Sequence, residues 1–284
     1  MNQKLKTARL SIISNSTLIT LKMVVGIFSG SVSIISEAIH SLMDLIAAVI
    51  AYYSVRISDT PPDKEHPYGH GKYENISAVI EALLIFVAAF WIIFEAVKKI
   101  AGSAEVEMLG LGIGVMVVSG IVNAWVSRQL YRAARKHDSI ALEADALHLK
   151  ADVYTSLGVA AGLALIWISG FHVLDPILAI AVAIFILKEA YLLIRRAYSP
   201  LLDVSFDDNE IEQIKKIIHG HNLQYHNLRT RKAGSKKFAD FHLEFIQNPS
   251  VAEANEICDK IKMELQERFT NIDVTIHMDT TRDI

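Results

Sequence analysis

Two short runs of this chain carry residue types that can hold a metal ion from the side of a helix. In residues 36–44, SEAIHSLMD, Glu37, His40 and Asp44 stand three, four and seven positions apart. That spacing puts them on one helical face. Residues 144–152, ADALHLKAD, repeat the device with Asp145, His148 and Asp152 at the same intervals. Each run thus presents an HxxxD pair. If the two stripes face one another, the imidazoles of His40 and His148 converge with the carboxylates of Asp44 and Asp152. Two carboxylates cancel the charge of a divalent cation, and four N/O ligands give the tetrahedral shell that zinc prefers. Imidazole nitrogen favours zinc, cobalt or iron over magnesium and calcium, which take oxygen.

The setting of these stripes sharpens the argument. Of the 284 residues, 52% are hydrophobic and 21% charged, more apolar than a soluble domain with about 25% charged residues. The excess lies before about Arg195, and the stretch after Asp203 reads as an ordinary soluble domain. A bilayer core needs about 20 apolar residues per helix. Candidate spans are 11–28, 33–55, 76–97, 109–130, 147–168 and 176–194. Asn15, Thr17 and Lys22 interrupt the first, whereas Asp175 suits a cap and Pro176 a first helical position for the last. An ionisable group at mid-bilayer costs roughly 2.5–3.5 kcal/mol, and four would cost on the order of 10 kcal/mol uncompensated. A bound cation removes that cost. The alternative is hydrogen-bonded glue between helices, worth about 0.6 kcal/mol per contact, and two copies on two helices argue against it. Glu37 fits a general base beside a hydrolase's ion or, equally, a proton relay. Glu81 and Asn123, lone polar residues in their spans, read as helix glue, and Lys22 as snorkelling or paired.

Basic residues orient the spans. Lys4, Lys6 and Arg9 precede the first. Arg56, Lys64 and Lys72 separate the second and third. Arg128, Arg132, Arg135 and Lys136 follow the fourth, and Arg195 and Arg196 the sixth. Only Lys98 and Lys99 oppose the pattern. The positive-inside rule puts both termini and the C-terminal domain in the cytoplasm of a multi-pass cell-membrane protein.

Two further clusters lie outside the spans. The loop DKEHPYGHGK holds Asp63, His66 and His70, with Gly69 and Gly71 permitting a tight backbone. These can coordinate a second ion or be ordinary surface residues. The C-terminal segment reads helix, strand, strand, helix, strand, an α+β domain. Asp207 and Glu210 suit a capping box, and the turn Ala233-Gly234-Ser235 separates two strands. Ala239, Phe241, Leu243 and Phe245 alternate with polar residues, and Ile272, Val274, Ile276 and Met278 do the same in the last strand. His242, His277 and Asp279 fall on the polar faces, with His226 in the first strand. Solvated histidines are the competing reading.

Taken in order, SEAIHSLMD, HPYGHGKYE, ADALHLKAD, DPILAI, HNLRTR and VTIHMD resemble the cation diffusion facilitator family over nearly the whole chain. The resemblance implies a homodimeric antiporter that exports zinc or a related divalent ion in exchange for protons. It implies six transmembrane helices over residues 1–202 and a ferredoxin-like, metallochaperone-like cytosolic domain over 203–284. It assigns His40, Asp44, His148 and Asp152 to the transport site and Asp63, His66 and His70 to the loop site. His226, His242, His277 and Asp279 match cytosolic ligand positions, and Lys72 pairs with Asp203 to brace the dimer. Asn255 stands where some relatives carry a bridging histidine, which favours one cytosolic ion or ions shared across the dimer.

Other classes fit less well. The net charge of −3 offers no basic surface for nucleic acid. Cys258, the only cysteine, excludes an intrachain disulfide and a CxxC site. No HExxH motif supports an intramembrane metalloenzyme, and no organic cofactor is implied.

Overall fold

The computed structural model describes residues 3–29, 32–101, 110–169, 174–245 and 249–280. The chain separates into two compact units, Met1–Tyr198 and Ser199–Ile284. The first holds α1 (Gln3–Ser29), α2 (Val32–Ser58), α3 (Lys72–Ala101), α4 (Gly110–His137), α5 (Ile140–Ser169) and α6 (Leu174–Tyr198). By length and composition, Lys72–Lys98 and Pro176–Leu202 can each cross a bilayer.

The helices overrun the apolar windows. α1 begins at Gln3, α4 continues to His137 and α5 starts at Ile140. Loss of hydropathy does not end a helix, because the backbone bonds continue in water until a residue breaks them. Between α4 and α5 that residue is Asp138, in the left-handed region at φ 51. α6 starts at Leu174, so Asp175 and Pro176 sit inside its first turn, where a missing N–H costs nothing.

Small residues set the packing. Ala78, Ala82 and Ala89 of α3, Ala144 and Ala151 of α5, and Ala183, Ala190 and Ala197 of α6 are all buried. Without a hydrophobic drive between helices in lipid, close approach of backbones across such residues supplies the attraction. A second cluster joins α1, α4 and α5 through Ala8, Val126, Leu130, Leu142 and Leu149. α5 thus lies between two apolar clusters.

The second unit follows a 3-10 turn at Ser199–Leu202 and contains α7 (Asp208–Gly220), β1 (Gln224–Ala233), β2 (Lys236–Phe245), α8 (Val251–Arg268) and β3 (Ile272–Thr280). The capping box expected at Asp207 and Glu210 starts α7. Gly234 at φ 58 makes the tight turn from β1 to β2. The sheet runs β1-β2-β3, antiparallel then parallel. Ala239, Phe241, Leu243 and Phe245 pack with Ile214 and Ile218 of α7 and Ile261 and Leu265 of α8. Both helices therefore cover one face, and the opposite face carries the polar side chains. Alternation fails at the end of β3, where Met278 is 45% exposed. β3 is an edge strand, and its last residues run past the helices that bury Ile272 and Val274.

Helix ends in the first unit are tied by a buried ion pair. Glu74 accepts from Lys4 Nζ at 2.8 Å, from Ser58 Oγ at 2.9 Å and from Ser139 Oγ. Lys4 also donates to Asp59 at 3.0 Å. Four segments meet there: the start of α1, the end of α2, the start of α3 and the α4–α5 turn. Burial acts to lower the Lys4 pKa, but Glu74 and Asp59 outweigh it and hold the ammonium above its ordinary value of 10.5. That stabilisation is complete below the unfolded pKa and is lost as pH rises through the folded one. Lys4→Met should destabilise the detergent-solubilised protein by ~3–5 kcal/mol, because it strands the Glu74 carboxylate. Adding Glu74→Gln should restore most of the loss in the same thermal-unfolding assay.

Candidate metal centres

The first centre forms because α5 has three faces. At 100° per residue, Asp145, His148 and Asp152 fall within an arc of roughly 60°, between the sides that meet the two apolar clusters. The stripe is turned toward α1 and α2. Nε2 of His148 lies 3.1 Å from Oδ1 of Asp44. Ligand atoms of Asp44, His148 and Asp152 all fall within 4.8 Å of one another. Asp44 and His148 are buried and Asp152 is half-buried. Nδ1 of His148 is buried with no hydrogen-bond partner among the described residues. A donor set of two carboxylates and an imidazole suits a divalent transition metal. The side chains of His40 and Glu37 lie outside the described residues; His40 belongs to α2, one turn before Asp44.

The packing supplies partners that the spacing of HxxxD does not disclose. Ser11 of α1 donates to Asp145 at 3.1 Å. Asn15 of α1 donates to the Asp44 backbone carbonyl at 3.3 Å. Lys22 donates to Ser41 at 2.7 Å. Of the residues that interrupt the first apolar stretch, Thr17 donates back to Ile13 within α1, whereas Asn15 and Lys22 bond to α2. Their place in a span that reads as poor was the available signal.

The loop between α2 and α3 brings Asp63, His66 and His70 together, again with ligand atoms within 4.8 Å. Asp63 Oδ1 accepts the backbone N–H groups of His66 at 2.6 Å and Glu65 at 2.9 Å. Oδ2 lies 3.3 Å from Nε2 of His70, and the two imidazoles are 4.5 Å apart. Gly69 at φ 83 turns the chain so that His70 returns over His66. The His66 amide, joined by Glu65, holds the Asp63 carboxyl below its ordinary value, so it is ready to bind a cation at neutral pH.

The third cluster is a row across the sheet. His226 pairs with His242 across β1 and β2, and His242 with His277 across β2 and β3. Their rings are 4.9 Å and 4.6 Å apart. Asp279 Oδ2 lies 2.8 Å from His242 Nδ1 and 3.3 Å from His226 Nε2. His226, His242 and Asp279 have ligand atoms within 4.8 Å; His277 stacks on His242 outside that group. Glu244 bonds His226 Nδ1 at 2.9 Å. The sequence reading did not select it, although Glu244 stands two residues from His242 on the same face. A bulge after His226, with Asn227 at φ 52, follows this pairing.

Lys72 opens α3 in the first unit. Asp203 follows the 3-10 turn in the second, with Arg231 Nη1 3.5 Å away. Asn255 donates to Asp259 at 3.0 Å on exposed α8.

The hydrogen bond from His242 holds the Asp279 carboxyl below its ordinary value, with the nearby imidazoles adding to the effect. The sign follows from linkage: this stabilisation is present above the unfolded pKa and is lost as pH falls through the folded one. His242→Ala should move the Asp279 carboxyl titration, followed by NMR, upward toward the usual range. An unmoved titration would contradict the contact.

Comparison with known proteins agrees with these features. Residues 8–202 match the cation efflux transmembrane domain, and residues 206–281 match the cation efflux protein cytoplasmic domain. An uncharacterized transporter of Synechocystis sp. is 34% identical over 90% of this chain and 83% of its own. The cation-efflux pump FieF of Shewanella oneidensis is 32% identical over 96% of this chain and 92% of its own. FieF of Yersinia enterocolitica is 30% identical over 98% and 95%. With both units matched in order, the chain belongs to the cation diffusion facilitator family of membrane-embedded cation-efflux transporters.

Proposed function

We propose that this chain exports divalent transition-metal ions, zinc first, from the cytoplasm in exchange for protons, as a homodimer. The observation that carries the reading is the buried meeting of Asp44, His148 and Asp152 inside a helical unit matched to a transmembrane efflux domain. His40, one turn from Asp44, completes a two-imidazole, two-carboxylate set in this proposal. Zinc is preferred over manganese because two of those ligands are nitrogen.

Exchange follows from the ligands. Zinc requires deprotonated carboxylates and neutral imidazoles, so protons and metal compete for the same atoms. Protons arriving from outside displace the ion, and their release into the cytoplasm restores the site. Affinity has to be moderate, since a site as tight as a structural zinc finger releases its ion too slowly to turn over.

In this reading α1–α6 are six membrane spans with both termini cytoplasmic, and the division falls between 1–202 and 203–284. The helix-strand-strand-helix-strand order of the second part supports a ferredoxin-like, metallochaperone-like domain. Asp63, His66 and His70 bind an ion at the cytoplasmic rim. His226, His242, His277 and Asp279 sense cytoplasmic zinc, and Lys72 with Asp203 braces the dimer. Glu37 relays protons. The family being one of transporters, no enzymatic step is assigned.

Metal flux into sealed proteoliposomes under a pH gradient tests the proposal. Zinc should move faster than manganese, iron, cobalt or cadmium, and only with the gradient. Asp44→Asn or Asp152→Asn should cut flux by more than ~100-fold, beyond the 10–100-fold typical of an outer-shell change, with the fold unaltered by circular dichroism. His40→Ala should abolish zinc flux. Tight binding without flux of any ion would make the protein a membrane metal sensor. Removing the residues after Asp203 should change how flux depends on cytoplasmic-side zinc; an unchanged dependence would leave that domain a structural role only.

A further inference from the structure

Two fully buried carboxyls, Glu81 of α3 and Asp145 of α5, lie outside all three ligand groups. Both oxygens of Glu81 are without a hydrogen-bond partner among the described residues. Asp145 accepts from Ser11 through Oδ1, whereas its Oδ2 is unpartnered in the same sense. Ala78, Ala82 and Ile85, on the turns of α3 around Glu81, pack in one cluster with Ala144 and Leu147, on either side of Asp145 in α5. The same cluster brings Ile186 and Ala190 of α6 against these turns. Asp145 stands one turn before His148 of the first metal centre, and the two buried carboxyls act on each other electrostatically.

A fully buried carboxyl whose oxygens find no hydrogen-bond donor among the described residues favours its protonated form. Structural glue is a poor account of Glu81, because glue requires a bond and neither oxygen makes one among the described residues. We propose that Glu81 is a proton-binding site, coupled through Asp145 to the metal centre, which is loaded when the centre is empty and emptied when a divalent cation enters. On metal binding the O–H bond of Glu81 breaks and its electron pair stays on the carboxylate. The proton passes by way of Oδ2 of Asp145 to water on the side open to the metal. Nothing is oxidised or reduced; the charge of the incoming cation replaces that of the departing proton. The direction of coupling is electrostatic, since a positive ion among Asp44, His148 and Asp152 disfavours a proton nearby.

The inference rests on the metal–proton exchange proposed above, so the test separates the two. Glu81→Gln keeps the shape and removes the ionisable group. Full-length wild-type and E81Q proteins are compared by zinc titration calorimetry, by infrared difference spectroscopy and by zinc-driven proton flux in vesicles holding a pH dye. E81Q, which mimics the protonated form, should bind zinc about tenfold more weakly than wild type and release about one proton fewer per ion. A protonated-carboxyl C=O band should vanish on zinc addition in wild type and be missing in E81Q. If E81Q folds poorly, Glu81→Asp, which keeps an ionisable carboxyl, decides the matter: its zinc-sensitive band should shift in frequency from that of wild type, and an unshifted band overturns the Glu81 proposal. A coupled wild type with an unchanged E81Q proton count overturns the Glu81 proposal only. A wild type without zinc-driven proton flux overturns the exchange reading and this inference with it.

Discussion

A carboxylate in a dry helical bundle has to be compensated, and the layout of the first unit follows from that constraint. Ionised groups removed from water carry a penalty of several kcal/mol each even after relaxation. The bundle compensates its acids in distinct ways. Glu74 is held by Lys4 and two serine hydroxyls. Asp44 and Asp152 meet an imidazole in a group shaped for a cation. Asp145 takes a serine, and Glu81 takes no hydrogen bond among the described residues. A permanent internal cation makes the first arrangement rigid. The second brings two carboxylates to one imidazole, so an exchangeable cation has something to gain there.

The small residues serve this layout as much as they serve packing. Alanines along α3, α5 and α6 bring backbones close, and the apolar cluster on the opposite side of α5 holds α1 and α4. Between them α5 can turn its polar arc only toward α1 and α2. A bulkier residue at Ala144 or Ala151 would rotate or displace that helix, and with it His148 and Asp152. Ligand geometry in this protein is therefore a property of alanine contacts several residues away.

Much of this was legible in the sequence because it is periodic. HxxxD spacing identified the stripe on α5 and, of the one on α2, Asp44, and alternation through β2 gave Phe241 and Leu243 inside with His242 between them on the other face. The capping box of α7 and the glycine turn before β2 are local chemistry, and local chemistry is readable. What was not legible depends on partners far away in the chain. Lys4 reads as one of several topology-setting basic residues, yet it pairs with Glu74, seventy positions on. Glu244 reads as a solvated strand residue and is the second partner of His226. Met278 follows the alternation but lies beyond the helices that would cover it. Glu81 looked like glue from its isolation in an apolar stretch, and what counts against that reading, the lack of a bond to either oxygen among the described residues, depends on the packing of other helices.

The three ligand groups also differ in exposure, and exposure governs what each can do. In the loop, Asp63 is open to water, with its charge set by backbone amides. An ion there trades easily with solvent, which suits capture more than retention. On the sheet, strand registry fixes His226, His242 and His277 in one row, so an ion there is held by backbone pairing and leaves the domain's core undisturbed. Between the helices, the ligands sit on separate elements, Asp44 on α2 and His148 with Asp152 on α5. A relative movement of these two helices alters that site directly. It is the arrangement of the three whose affinity can change with conformation, and a transporter needs such a change in order to bind on one side and release on the other.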